Sequence, residues 1–203
     1  MGFWLMAWNK LGTTTLGSAG DDLDITSMTA NKFNQFMNHW ISVTNTTTAS
    51  LTLDNTGGND YAYRYSTNGG SDSTSTSQAN VQVGLGGIPA GNSNFDINYS
   101  VNIDGEEKLI IGNNVTSNTA GAGNAPSRRE SVYKKDTTTD SGQYTRIDYN
   151  NADAGSFDTD SNLSALGSDG TEELNVQDGA IYYDTDLNKE YVLYNNTWTE
   201  VWF

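Results

Sequence analysis

The 203-residue chain has no cysteine, one histidine and two prolines. Without cysteine it can form neither disulfides nor thiolate zinc sites, and it has no cysteine nucleophile. A single histidine, His39, is also one fewer than most histidine-based metal sites require. The longest apolar run, residues 3–8, is far shorter than the roughly 20 residues of a membrane-spanning helix. We therefore expect no membrane insertion.

Basic residues are also scarce, with 10 lysines and arginines against 25 aspartates and glutamates, a net charge of −15. Proteins that bind nucleic acid neutralise phosphates with clustered lysine and arginine, and anionic membrane surfaces attract the same clusters. The charge balance therefore argues against nucleic acid and against a membrane surface as partners.

Hydrophobic residues make up only 35% of the chain, a low share that is compatible with disorder, but aromatic residues reach 11%. That aromatic content favours a folded protein of many short strands joined by polar loops. The clearest strand has apolar residues at every second position from Phe95 to Ile103. Asp104-Gly105 follows as a turn, and Lys108–Ile111 continues as the second strand of a hairpin. The sequence therefore predicts an all-β fold.

One segment fits two structures. Phe33, Phe36, Met37, Trp40 and Ile41 have the spacing of an apolar helix stripe. The odd-numbered positions from 33 to 43 fit a strand less regularly, although the β-branched residues that follow favour a strand. Both alternatives remain open at this stage, with the strand preferred.

The pattern divides the chain into three parts. Residues 1–166 are predicted to form a β domain with an apolar N-terminal segment, and residues 167–178 to form a linker. Residues 179–203 read as a three-stranded meander with turns at residues 186–188 and 195–196. Three strands of this size are marginally stable alone.

The meander resembles a recurrent module of bacteriophage tail fibres and other virion proteins. That module begins Gly-x-Ile/Leu-Tyr-Tyr-Asp-Thr, continues Asn-Lys-x-Tyr-Val-Tyr-Asn and ends in a segment containing tryptophan. The matching residues are Gly179, Ile181, Tyr182, Tyr183, Asp184, Thr185, Asn188, Lys189, Tyr191, Tyr194, Asn195 and Trp198.

The body of the chain is similar to uncharacterised proteins of marine phages, through Tyr61–Ser66 with Gly69-Gly70 and through Thr119–Glu130. The two resemblances imply a jelly-roll-like β-sandwich located in a virion. They imply a tail fibre, tail tip or receptor-binding subunit that binds the host surface multivalently, as a homo-oligomer, preferably a trimer, among other virion proteins. A capsid decoration protein or head fibre, and a carbohydrate-binding module of a surface protein, are the alternatives.

Residues that could support catalysis do not converge. His39 has no nucleophile motif near it, and the adjacent Glu106 and Glu107 point to opposite faces of a strand. Glu130 follows Arg128 and Arg129, which favours an ion pair. We therefore expect a protein that is not an enzyme.

Aromatic residues supply the candidate ligand site. Tyr61, Tyr63 and Tyr65 share one strand face, and Trp198 and Trp202 share another. Exposed aromatic faces with nearby polar groups bind sugars, so a host surface glycan is the expected ligand. A buried core or a subunit interface is the alternative for the tyrosines.

The apolar N-terminal segment is a candidate docking element between subunits, unless it folds back on its own core. Its residues are Phe3, Trp4, Leu5, Met6 and Trp8.

We expect no cofactor, with calcium as the one candidate. Asp184, Asp186 and Asn188 occupy positions 1, 3 and 5 of an EF-hand-like pattern. Lys189 stands where that pattern needs glycine, and Asn195 where it needs glutamate. The alternative role for the three residues is to cap a hairpin turn through side-chain to backbone hydrogen bonds.

Overall fold

The computed structural model describes residues 8–43, 47–55, 58–117, 121–137, 141–151, 156–169, 179–195 and 197–201. Within these ranges the regular structure consists of β-strands, which confirms the all-β prediction, and there is no helix that could span a membrane. The strands are β1 (Asn9–Thr15), β2 (Asp22–Ile25), β3 (Phe33–Ile41), β4 (Thr47–Leu53), β5 (Tyr61–Thr67), β6 (Ser73–Gln78), β7 (Val81–Ile88), β8 (Ser93–Val101), β9 (Lys108–Thr116), β10 (Ser127–Lys135), β11 (Ile147–Asn151), β12 (Asn162–Ser168), β13 (Ile181–Asp184), β14 (Lys189–Tyr194) and β15 (Thr197–Val201).

The described strands form three antiparallel sheets in two compact units. The unit Trp8–Asp169 holds an eight-stranded sheet, in the order β1-β12-β3-β8-β9-β10-β5-β6, and a four-stranded sheet, in the order β2-β11-β4-β7. The C-terminal unit holds a three-stranded sheet, β13-β14-β15. Each strand of this C-terminal sheet pairs with the next along the chain, so it is the predicted meander.

The eight-stranded and four-stranded sheets share one hydrophobic core. Phe36 and Trp40 of the larger sheet belong to the same buried cluster as Leu23, Leu51 and Ile147 of the smaller one. Two sheets that bury their facing side chains in one cluster form a β-sandwich.

The segment Phe33–Ile41 is strand β3, paired with β12 on one side and β8 on the other. The helical alternative is therefore wrong. Phe36 and Trp40 are four residues apart, which places them on one face of a strand as well as of a helix. They point into the core together with Asn34 and Asn38, so the odd-numbered positions lie on the opposite face.

The predicted hairpin is present as β8 and β9, but its faces are reversed. Phe95 and Tyr99 of β8 are 43% and 45% exposed, whereas Asn94, Asp96 and Asn98 are buried. The alternation therefore identified the strand correctly and its inner face incorrectly. The polar side chains are accommodated inside because they hydrogen-bond to one another, as described below.

Candidate binding surfaces

The outer face of the eight-stranded sheet carries exposed apolar side chains on β8, β9 and β10, with Asn113 and Glu130 between them. The register places Tyr99, Ile111 and Val132 in one row across β8, β9 and β10, and directly opposed residues share a face. Six large apolar side chains on this side are 40–59% exposed. We call them the outer apolar face: Phe95, Tyr99, Leu109, Ile111, Val115 and Val132.

Charged side chains border the outer apolar face on the β10 and β5 side. Arg64 lies opposite Val132 in the strand register, and Lys134 lies opposite Leu109. The Arg64 guanidinium lies 3.1 Å from an Asp72 carboxylate oxygen, and Lys134 Nζ lies 2.7 Å from Glu107 Oε1. The cations at this border are thus paired with carboxylates of the same chain.

A second exposed surface lies on one face of the C-terminal sheet. The Tyr182 ring stacks on Tyr191 with centroids 6.1 Å apart, and it meets Trp198 edge-on at 6.0 Å. Tyr182 and Trp198 are 51% and 43% exposed. Beside them, Lys189 Nζ donates to Glu200 Oε2 at 2.8 Å. We call Tyr182, Tyr191 and Trp198 the meander aromatic face.

The meander aromatic face contains one predicted ligand residue, Trp198. Trp202, the other predicted tryptophan, lies outside the described residues, as do Phe3, Trp4, Leu5 and Met6 of the N-terminal segment. Trp8 is described and half-buried, just before β1. Tyr182 and Tyr191 were not among the predicted ligand residues, although the sequence places them on the two strands that flank the predicted turn at residues 186–188.

The tyrosine row of β5 faces the interior. Tyr61, Tyr63 and Tyr65 do share a strand face, but each lies opposite a buried residue of β10. Tyr61 is 1% exposed, and its hydroxyl accepts a hydrogen bond from the Leu53 amide at 2.9 Å. Tyr61 therefore cannot form part of an exposed ligand platform, because its ring is enclosed in the core.

The two remaining tyrosines of this row are engaged inside the protein. The rings of Tyr63 and Tyr133 are 6.4 Å apart, and the Arg129 guanidinium lies 3.7 Å from the centroid of the Tyr65 ring. Both tyrosines are half-buried. The contacts of these two tyrosines are therefore those expected of the core alternative for the tyrosine row.

The candidate calcium residues form a hydrogen-bonded turn. Asp184 Oδ1 accepts from the backbone amides of Asp186 and Leu187, each at 3.0 Å. Asn188 has a positive φ of 54°, and its side-chain oxygen accepts from the Tyr183 hydroxyl. These contacts are those of a capped turn. Among the described residues, no three histidine, aspartate or glutamate side chains cluster as a metal site requires.

The turn contacts predict how Asp184 substitutions behave. In Asp184→Ala the two amides lose their acceptor, so we expect about 1 kcal/mol less stability of the C-terminal sheet. Asp184→Asn keeps the acceptor oxygen and should behave like the wild type. Amide hydrogen exchange of Asp186 and Leu187, measured by NMR, should be faster only in Asp184→Ala. Equal acceleration in Asp184→Asn, together with slower exchange in the wild type alone when calcium is added, would instead support a metal role.

A polar network occupies the interior between the two sheets. The Tyr149 hydroxyl donates to Asp96 Oδ2 at 2.7 Å, and Asn98 Nδ2 donates to the same oxygen at 2.6 Å. Burial raises the pKa of Asp96 to about 7, while the two hydrogen bonds and Arg129 lower it in part. Arg129 is itself buried and donates to the Gly84 carbonyl at 2.6 Å.

The network extends along β8 and β9. Asn114 Nδ2 and the Thr116 hydroxyl both donate to Asn94 Oδ1 at 2.6 Å. Buried polar groups are tolerated when they are hydrogen-bonded in this way. The sequence signal for it is a period-two run of polar residues, Asn94, Asp96, Asn98 and Ser100, which alternation alone assigns to solvent.

Comparison with protein-family models, with curated proteins and with solved structures found no match to this chain. The resemblance to phage proteins therefore stays a prediction from the residues that carry it.

Proposed function

We propose that this chain is a structural and receptor-binding subunit of a viral particle, a tail fibre or tail tip protein that binds a host surface glycan multivalently. The observation that carries the proposal is the meander aromatic face, which lies in the segment that resembles the phage fibre module. The proposed body is a jelly-roll-like sandwich, a more specific form of the two-sheet arrangement described above.

The meander aromatic face has the chemistry of a sugar platform. Tyrosine and tryptophan rings offer an apolar face to the C–H groups of a sugar ring, and their polar edges can hydrogen-bond to its hydroxyls. Tyr182 and Trp198 meet edge to face, so they present two differently oriented rings on one surface. The Lys189–Glu200 pair adds a donor and an acceptor on the same face of the sheet.

Multivalency converts weak single contacts into firm attachment. An exposed aromatic surface without a deep enclosure is expected to bind a sugar weakly, and several copies facing one host surface raise the overall affinity by about 10²–10⁴. The trimer implied by the fibre resemblance would display three such faces. Its mass would be three times the 22.0 kDa of the chain.

Two alternatives differ from this proposal in what they bind. A capsid decoration protein or head fibre would bind a capsid lattice and would show no glycan affinity. A carbohydrate-binding module of a surface protein would bind glycans as a monomer. Glycan binding and oligomeric mass, measured together, separate the three.

We expect Trp198→Ala to reduce glycan binding at least tenfold, because each lost aromatic contact is worth about 1 kcal/mol and avidity multiplies the loss. Tyr194→Ala is the matched control, since Tyr194 is 72% exposed on the other face of the same sheet. The measurement is binding of the labelled full-length chain to a glycan array. Absence of any glycan signal from the wild type, or equal loss in both variants, would contradict the receptor-binding proposal.

A further inference from the structure

Within the unit Trp8–Asp169, the outer apolar face is not packed against another described strand. Its six side chains are 40–59% exposed and together present about a few hundred Å² of apolar surface. A patch of that size is comparable with the largest apolar patch of a typical monomeric protein, and such patches are often functional.

We infer that a second copy of this chain covers the outer apolar face, so that two eight-stranded sheets pack face to face. The inference goes beyond the proposed function, because it concerns self-association through the body of the chain and does not depend on any glycan.

The dimensions of the face suit a protein partner of this kind. Strands β3, β8, β9 and β10 each have nine residues. At about 3.3 Å per residue and about 4.8 Å between strands, these four present on the order of 600 Å². Each partner in a stable interface contributes about 800 Å². The face and its border therefore approach the area that a stable homo-oligomer needs.

The charges around the face favour a copy over a partner of opposite charge. Arg64, Arg128 and Lys134 account for three of the ten basic residues and stand on this side of a chain with a net charge of −15. All three pair with carboxylates of the same chain: Arg64 with Asp72, Arg128 with Glu130 and Lys134 with Glu107. Two copies can therefore approach through this side without the repulsion that their acidic excess would cause elsewhere.

The regular strand pairing of the face also favours a second copy of the chain as the partner. The β8–β9 and β9–β10 pairings run without a register shift, so the central strands form a regular surface. Two regular β-sheets pack about 10 Å apart with interdigitating side chains. An isologous contact needs only one self-complementary patch, and the apolar rows on either side of Asn113 and Glu130, together with the internally paired charges, supply one.

The test compares masses by sedimentation equilibrium at about 100 µM, where a micromolar complex is fully formed. We expect the wild type to have at least twice its 22.0 kDa chain mass and Ile111→Lys to have half the mass of the wild type. Ile111 is 59% exposed, so the fold should tolerate a lysine at this position. Thr74→Lys is the matched control, because Thr74 is exposed opposite Arg64 at the far edge of the sheet, and it should keep the wild-type mass.

Cross-linking gives a second readout that does not depend on the lysine variant. The chain has no cysteine, so Asn113→Cys places a single thiol at the centre of the face, between Ile97 and Glu130. A short bis-maleimide should cross-link Asn113→Cys, but not Thr74→Cys, into a covalent pair.

Three results would overturn the inference. One is a wild-type oligomer that Ile111→Lys leaves intact and Asn113→Cys fails to cross-link. Another is a 22.0 kDa wild type together with an unreactive thiol in Asn113→Cys, which would assign the cover to the chain itself. The third is a 22.0 kDa wild type together with a reactive thiol in Asn113→Cys, which would assign the cover to a different protein. A 22.0 kDa wild type would also contradict the trimer of the proposed function, whereas a loss of glycan binding alone would leave the self-association intact.

Discussion

In Asp96→Asn the protein should become more stable at pH 8 and should lose most of its dependence of stability on pH between 4 and 8. In the wild type we expect the free energy of unfolding to fall by about 2–4 kcal/mol over that range, at about 1.4 kcal/mol per pH unit within the titration window. The free energy of unfolding of the variant should change much less over that range, with Asp24 contributing the slope that remains.

The reason is the location of the carboxyl group. Asp96 is 1% exposed between the two sheets, and burial raises its pKa from 3.8 to about 7. A folded-state pKa above the unfolded value means that the folded protein binds the proton more tightly. The stabilising contribution is therefore complete below about pH 4 and is lost as the pH rises through 7. Asparagine is neutral at every pH and retains an oxygen that can accept from Tyr149.

Asp24 is the matched control for this experiment. Its pKa is also raised, to about 6, mainly by burial and then by Asp148, so it contributes a slope of the same sign. Asp24 is 28% exposed in its side chain and pairs with Arg146, so its contribution should be smaller. Guanidinium unfolding followed by tryptophan fluorescence at pH 5 and pH 8 should show a steep slope in Asp24→Asn and a shallow one in Asp96→Asn. Equal slopes in the two variants would show that Asp96 is not a buried neutral acid in the folded state.

The local elements of this fold could be predicted from the sequence because short-range rules determine them. Asp104-Gly105 closes the β8–β9 hairpin, with Gly105 at a positive φ of 73°. The turns after Asp184 and Tyr194 divide the C-terminal sheet where the sequence places them. Each of these depends on a few adjacent residues whose backbone preferences are known.

The direction that each strand faces could not be predicted in the same way. Alternation divides Phe95 and Tyr99 from Asn94 and Asp96, and the usual rule then assigns the apolar set to the core without regard to the groups that the second sheet presents. Here the smaller sheet brings Tyr149 toward Asp96 and Asn98, which provides hydrogen bonds for the polar set. The apolar set is left on the outside, where we propose that a second copy covers it. Under this proposal both faces of β8 lie against another layer: the polar face meets the smaller sheet, and the apolar face meets the second copy. The usual rule of an apolar inside and a polar outside does not apply to such a strand.

The candidate site residues show the same difference between local rules, which the sequence reveals, and long-range packing, which it does not. Trp198 follows a turn in a small sheet and is 43% exposed, and its role as a ligand residue stays a prediction. Tyr61 belongs to a strand between β10 and β6, where long-range pairing places its face toward the core. Sequence reasoning found the shared tyrosine face but had no means of locating the second sheet.

A pair of truncations tests the reversed faces directly. We expect Trp40→Ala to lower the free energy of unfolding by about 3–5 kcal/mol, and Phe95→Ala by less than about 1 kcal/mol. Trp40 is fully buried, its ring lies 5.9 Å from that of Phe157, and Gly84 lies so close that a Cβ there would be 2.8 Å from the indole. Phe95, on the neighbouring strand, is 43% exposed and sits on the opposite face.

Both truncations are best measured by urea unfolding in the Ile111→Lys background, so that self-association does not contribute to the stability of either variant. Because a whole domain is stable by only about 5–15 kcal/mol, Trp40→Ala should be partly unfolded at temperatures where Phe95→Ala is fully native. The alternation of β8 would by itself predict the reverse, with Phe95 in the core. A larger loss for Phe95→Ala than for Trp40→Ala would therefore place the apolar row inside the sandwich and remove the surface on which the self-association depends.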